Sequence, residues 1–159
     1  MNFLSEHGLL EYSALAEKTA AATARYNELS AKIKMAENRM AEISVLQTHI
    51  RHYSDTRQVY VDYRKAGYSK KFLAEHEAEI LLHKAAKKAF DELGLKKLPT
   101  IRELQAEYAR LLTEKKKAYG EYRQARDDMR ELLTVKANVD RLMGHEEQRD
   151  ENEQEHGQR

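Results

Sequence analysis

The sequence contains no cysteine and no tryptophan, and it has a single proline in 159 residues. Without thiols there is no disulfide framework, no thiolate zinc site and no cysteine nucleophile. With one proline and six glycines, the chain also has few of the residues that punctuate a mixed or all-β fold. No stretch of useful length alternates as a strand does, no apolar run approaches the ~18 residues of a membrane span, and no signal-peptide core is present. An excess of one charge is missing too: 28 Lys and Arg meet 27 Asp and Glu, for a formal net charge of +1. Whole-molecule electrostatics therefore selects no partner. There is no Gly-rich phosphate loop, no Gly-x-Ser-x-Gly and no His-Glu-x-x-His. The expectation is a non-enzymatic, cytoplasmic, all-α protein with no cofactor and no membrane partner.

What the sequence does have is helical periodicity. From Thr100 to Met143, apolar residues recur alternately three and four apart: Ile101, Leu104, Tyr108, Leu111, Ala118, Tyr122, Ala125, Met129, Leu132, Val139 and Met143, with Lys115 and Lys136 as the two polar rungs. A mean period of 3.5 is a coiled-coil seam, because slight underwinding keeps each rung facing one partner. The start is signalled by Pro99, by Thr100 as N-cap and by Glu103 three residues on, a capping box. Gly144 is the expected stop. Gly120 is either a tolerated surface glycine or a point of close packing beside Tyr119 and Tyr122.

A second ladder runs through Leu15, Ala22, Tyr26, Leu29, Ile33, Ala36, Met40 and Ile43. It then slips in phase to Leu46, Ile50 and Tyr53. Residues 1–9 are a lead-in, with Ser5 or Gly8 as candidate helix starts. Ser54 and Asp55 suggest a break and a new start. Gly67 ends the segment that follows, Ser69 caps a third over 70–93 with Phe72, Leu73, Ile80, Leu81 and Phe90 as core candidates, and Gly94 closes it. The runs 10–53 and 100–143 have equal length. This predicts an antiparallel coiled-coil hairpin of two long arms, with residues 54–99 as a small helical head. The rival is a continuous helix through Ala66 in an up-down-up arrangement. Residues 144–159 carry no aliphatic or aromatic side chain apart from histidine and are expected to form a disordered acidic tail.

Charge is local even though it balances overall. Residues 51–123 hold seventeen Lys and Arg against eleven Asp and Glu, and the remainder of the chain is acidic. In the head, Arg57, Arg64, Lys65, Lys70 and Lys71 interleave with Tyr60, Tyr63 and Tyr68. Cations neutralise phosphates and aromatic faces stack on unpaired bases, so these eight residues are the candidate contact for DNA or for a protein partner. A solvated helix face with half-buried tyrosines has the same composition. His49 and His52, and the run His76, Glu79, His83 on one helical face, have metal-ligand spacing. The matching helix offers no Glu-x-x-His partner, and packing or surface roles are the expectation.

Four stretches also carry a family resemblance: YVDYRKAGYSKKF (60–72), LHKAAKKAF (82–90), LPTIREL (98–104) and EKKKAYGEYRQARDDM (114–129). Over about residues 29–143 the chain resembles the C-terminal helical region of relaxase/mobilisation proteins from conjugative or mobilisable elements of Gram-positive bacteria. In that family a separate N-terminal domain nicks the transfer origin with a tyrosine nucleophile and a histidine-held metal. This chain has no His-x-His cluster of that kind, so no catalytic residue is carried over. The resemblance implies an excised C-terminal domain or a stand-alone descendant with a helper role. Its implied partners are DNA, single-stranded or at the transfer origin, or relaxosome and coupling proteins. The alternative, from a different class, is a purely structural coiled-coil spacer or homodimerisation module with no nucleic-acid ligand.

Overall fold

The computed structural model describes the backbone of residues 6–157 and the side chains of residues 8–144. The described chain is all-helical, in the order α1 (Glu6–Lys65), α2 (Lys70–Glu75), α3 (Glu77–Glu92) and α4 (Ile101–Gly157), with no strand among the described residues. Both apolar ladders lie where their period puts them. Every rung of the first helix from Leu15 to Tyr53 is buried or half-buried, and so is every rung of α4 from Ile101 to Met143 except Tyr108.

Three boundaries differ from expectation. α1 does not break at Ser54 but continues to Lys65. The apolar stripe explains this, because Tyr53, Thr56, Tyr60 and Tyr63 carry it onward while Ser54 and Asp55 face water. Thr56 is buried, and its hydroxyl donates to the His52 carbonyl at 2.6 Å, the back-bond that lets a hydroxyl sit inside a helix. Helix 70–93 is interrupted at His76 (φ −125°, ψ 24°), which ends α2 and begins α3. α4 passes Gly144 and runs to Gly157, where a stop and an unstructured tail were expected. The tail is rich in Glu, Gln and Arg, which are good helix formers, and a helix already nucleated extends without an apolar face. Side chains beyond Gly144, the candidate start at Ser5 and the last two residues lie outside the described residues.

The other end signals operate as expected. The Thr100 N–H donates to Glu103 Oε2 and the Glu103 N–H donates to Thr100 Oγ1, each at 3.1 Å, a complete capping box. After α1, the Tyr68 N–H reaches the Tyr63 carbonyl and the Gly67 N–H reaches that of Arg64, both at 3.0 Å, with Gly67 at φ 66°. This is a Schellman closure. α3 ends the same way, with Leu95 N–H on Phe90, Gly94 N–H on Asp91 and Gly94 at φ 63°. A Cβ added at Gly120 would meet nothing within 4 Å, so that glycine marks no close approach.

The chain divides into two compact units, one of residues 1–34 and 115–159, the other of residues 35–114. In the first unit, Leu29, Ile33 and Ala118 form the buried cluster, with Tyr122 and Ala125 packed on it. Tyr26 and Tyr122 stack with ring centroids 5.1 Å apart and hydroxyls 3.0 Å apart. Tyr12 donates to Asp140 at 2.6 Å and Lys136 reaches the same carboxylate at 3.0 Å. The Tyr12 hydrogen bond, then that of Lys136, holds the Asp140 carboxyl below its usual range. Lys136, half-buried at a seam position, delivers its amine to that carboxylate, 5.8 Å from the Tyr12 ring centroid.

In the second unit, Ile43, Leu46, Ala86, Phe90 and Leu104 form the buried cluster, flanked by Ile50, Tyr53, Leu98 and Leu111. Arg39 donates to Glu107 through two nitrogens, at 2.7 and 3.1 Å, and to Glu42 at 3.3 Å. Of the core candidates in 70–93, Ile80 and Phe90 are buried and Phe72 and Leu73 half-buried, but Leu81 is 55% exposed.

Candidate nucleic-acid interface

The eight candidate contact residues all lie in the second unit, on the end of α1, the turn after it and the start of α2. The turn is built by the Schellman closure at Gly67 and by Ser69, whose Oγ accepts from the Phe72 N–H at 3.4 Å to cap α2. Arg57, Arg64, Lys65, Lys70 and Lys71 are all exposed. None of the five forms an ion pair among the described residues. Arg64 and Lys65 suit the negative end of α1. Lys70 and Lys71 do not suit the first turn of α2, which holds no acid and where the helix dipole disfavours cations. Helix stability does not account for these two lysines.

The tyrosines divide by role. Tyr63 is buried, with Phe72 stacked on it at 6.0 Å and Tyr68 edge-on at 5.2 Å. Tyr60 is half-buried, its ring stacked on His83 at 4.4 Å. Tyr68 is 54% exposed. Its φ of 59° is unusual for a residue with a Cβ, and its contact with Tyr63 is the apolar touch that accompanies a Schellman closure. Tyr68 alone of the three presents most of its ring to solvent.

His83 organises the layer beneath. It is buried and sandwiched between Tyr60 and Tyr53, the latter at 4.6 Å. Thr56 Oγ1 lies 3.0 Å from its Nδ1. The single hydroxyl proton of Thr56 is committed to the His52 carbonyl, so Thr56 accepts and His83 Nδ1 carries the proton. Burial first, and the nearby Lys87 second, push the imidazole below its usual pKa, partly offset by the Tyr53 backbone. His83 is thus a packing residue, and His76 rests against Phe72 at 4.5 Å. Among the described residues, no group of three or more His, Asp or Glu side chains is placed to hold a metal ion.

Lys84 was not among the sequence candidates. Its Nζ lies 5.9 Å from the Tyr63 ring centroid, bringing a cation from α3 to this end of the unit. Its spacing from the α3 core stripe of Ile80, His83, Ala86 and Phe90 was the available signal. No helix of the described residues is long and apolar enough to cross a membrane. No family model, curated protein or solved structure matches the chain.

Proposed function

We propose that the chain is a non-catalytic, cytoplasmic accessory module of a conjugative DNA-transfer relaxase system, and that its basic end contacts nucleic-acid phosphates. The observation that carries this reading is that four exposed cations without acidic partners among the described residues, Arg64, Lys65, Lys70 and Lys71, flank one turn, with Arg57 further back on α1, and that two of the four stand where helix electrostatics disfavours them. Lys84 adds to the same end, and Tyr68 is the ring available to stack on an unpaired base. The relaxase connection rests on the resemblance of the four sequence stretches. An antiparallel coiled-coil hairpin of the two arms belongs to the same proposal. Its support is that, in each unit taken alone, α4 partners fall in number as α1 residues rise: Tyr12 with Asp140 and Tyr26 with Tyr122 in one, Arg39 with Glu107 and Ile43 clustered with Leu104 in the other.

Fluorescence anisotropy with labelled single-stranded and duplex oligonucleotides at two salt concentrations tests the contact. Affinity is expected to fall steeply with salt. Lys70→Glu with Lys71→Glu should weaken binding and flatten the salt dependence by about one to two phosphates' worth, while the melting temperature stays nearly unchanged. No binding even at low salt would sink the nucleic-acid reading and favour the spacer or dimerisation module.

A further inference from the structure

A groove of about 580 Å³ runs along the second unit between α1 and α3, at a distance along the chain from the basic end. Asn38, Ala41, Glu42, Val45 and His49 line it from α1, and Ala89, Glu92 and Leu93 from α3. Three features set it apart from an ordinary helix-helix valley. Its lining includes the buried Leu46 and two small residues, the exposed Ala41 and the half-buried Ala89, where another backbone can approach closely. Its walls carry large aliphatic groups that the core does not use: Val45 is 56% exposed and Leu93 59% exposed. One turn before Asn38, Met35 stands 72% exposed and extends the stripe with an adaptable side chain. From Asn38 to His49 the α1 wall repeats at helical spacing over about 16 Å, some three turns.

The charge on this groove is opposite in sign to that of the cations flanking the turn at 66–69, Arg64, Lys65, Lys70 and Lys71. Glu42 and Glu92 face it against one guanidinium, that of Arg39, which Glu107 holds at 2.7 Å and which reaches Glu42 at 3.3 Å in a part-exposed, weak pair. Among the described residues Glu92 pairs with Lys88 at 4.0 Å, both groups mostly exposed, a pairing weak enough to be exchanged. We infer that the groove docks an amphipathic helix of a partner protein, its apolar ridge seated over Leu46 and Ala89 and its flanks carrying Lys or Arg toward Glu42 and Glu92. A concave surface needs a convex ridge, so the same groove of a twofold-related copy does not fill it. The acidic rim also makes it unsuited to nucleic acid, so the inference is independent of the contact proposed above.

The test uses the full chain and a labelled 14-residue peptide of Leu, Ala and Lys, with Leu at helical i, i+4, i+7 and i+11 positions and Lys on both flanks. A counterpart with Glu in place of Lys is the control. The Lys peptide should bind at least tenfold more tightly than the Glu peptide. Val45→Asn with Leu93→Asn should weaken it tenfold or more with the helical melting curve retained, since both side chains are exposed. Glu42→Gln with Glu92→Gln should shrink the preference between peptides. Binding of neither peptide overturns the inference. So does binding of the Lys peptide that ignores Val45→Asn/Leu93→Asn, which would be simple ionic adhesion. Sedimentation showing wild-type self-association abolished by that same pair of changes would also overturn it, by making a second copy the occupant.

Discussion

The first unit's buried cluster is Leu29, Ile33 and Ala118, one of them an alanine, whereas the second unit's holds Ile43, Leu46, Ala86, Phe90 and Leu104. The described contacts of the first unit join segments of two helices, α1 and α4; those of the second also engage α3. Two helices cover each other along one stripe only, and the side chains at its edges stay half in water. The first unit accordingly closes its edges with polar pairs, Tyr12 with Asp140 and Tyr26 with Tyr122. In the second unit, α3 brings Ala86 and Phe90 into the core and lays His83 between two tyrosines. The contrast teaches that a regular ladder sets which residues face inward, and a third helix sets how much of each is removed from water.

The largest expected effect falls in the second unit. Phe90→Ala should cost about 3–5 kcal/mol, because the ring is buried and meets Tyr53 edge-on at 5.6 Å. Urea denaturation followed by circular dichroism reads it, and a change under about 1 kcal/mol would mean that α3 contributes little to that core. Leu29→Ala should cost the lower part of about 2–5 kcal/mol, since the surrounding first-unit seam has fewer buried neighbours and can relax. Hydrogen exchange should place the loss of protection mainly in residues 1–34 and 115–144. Equal loss throughout would dissolve the distinction between units.

Acid should act selectively. His83 is neutral in the fold and its pKa lies below the ordinary imidazole value of about 6.5, while the unfolded chain takes up the proton near that value. The unfolded state then binds more protons, so the second unit should lose stability as pH falls through about 6.5 toward the lowered pKa, and this contribution should be level above it. His83→Gln should flatten that pH dependence in hydrogen-exchange protection of α3. An unchanged profile would show that the imidazole does not carry it. The smallest effect is expected for Arg39→Met, about 0–1 kcal/mol, because the ion pair with Glu107 is part-exposed and methionine keeps the stem's packing. A cost well above this would make the second unit's edge as dependent on polar pairing as the first unit's.

Much of the helical pattern was legible in the sequence, and the misses have physical reasons. Ladder spacing located the buried faces of α1 and α4, including the phase slip after Ile43, because period depends on the chain alone. End signals were legible where the apolar stripe also stopped, as at Gly67, Gly94 and Thr100. They misled where the stripe or helix propensity carried on: Ser54 and Asp55 sit on the wet side of a continuing helix, and Gly144 precedes good helix formers. The exposure of Arg57, Arg64, Lys65, Lys70 and Lys71 followed from charge. The separation of Tyr60 and Tyr63 from Tyr68 did not, because it depends on His83 and Phe72 arriving from other helices.

The reciprocal cap at Thr100 and Glu103 fixes where α4 begins, and no break follows before Gly157. Within the second unit, the phase of each later rung of α4 is therefore set by that start. Inserting one residue between Leu104 and Leu111 would turn Leu111 by about 100°, away from the second unit's cluster, whereas inserting seven would nearly restore that rung. In residues 95–99 only Leu98 is packed against that cluster, and the cap starts the helix afresh after them. Length variation should accordingly be best tolerated between Gly94 and Leu98 and quantised in heptads between Leu104 and Leu111.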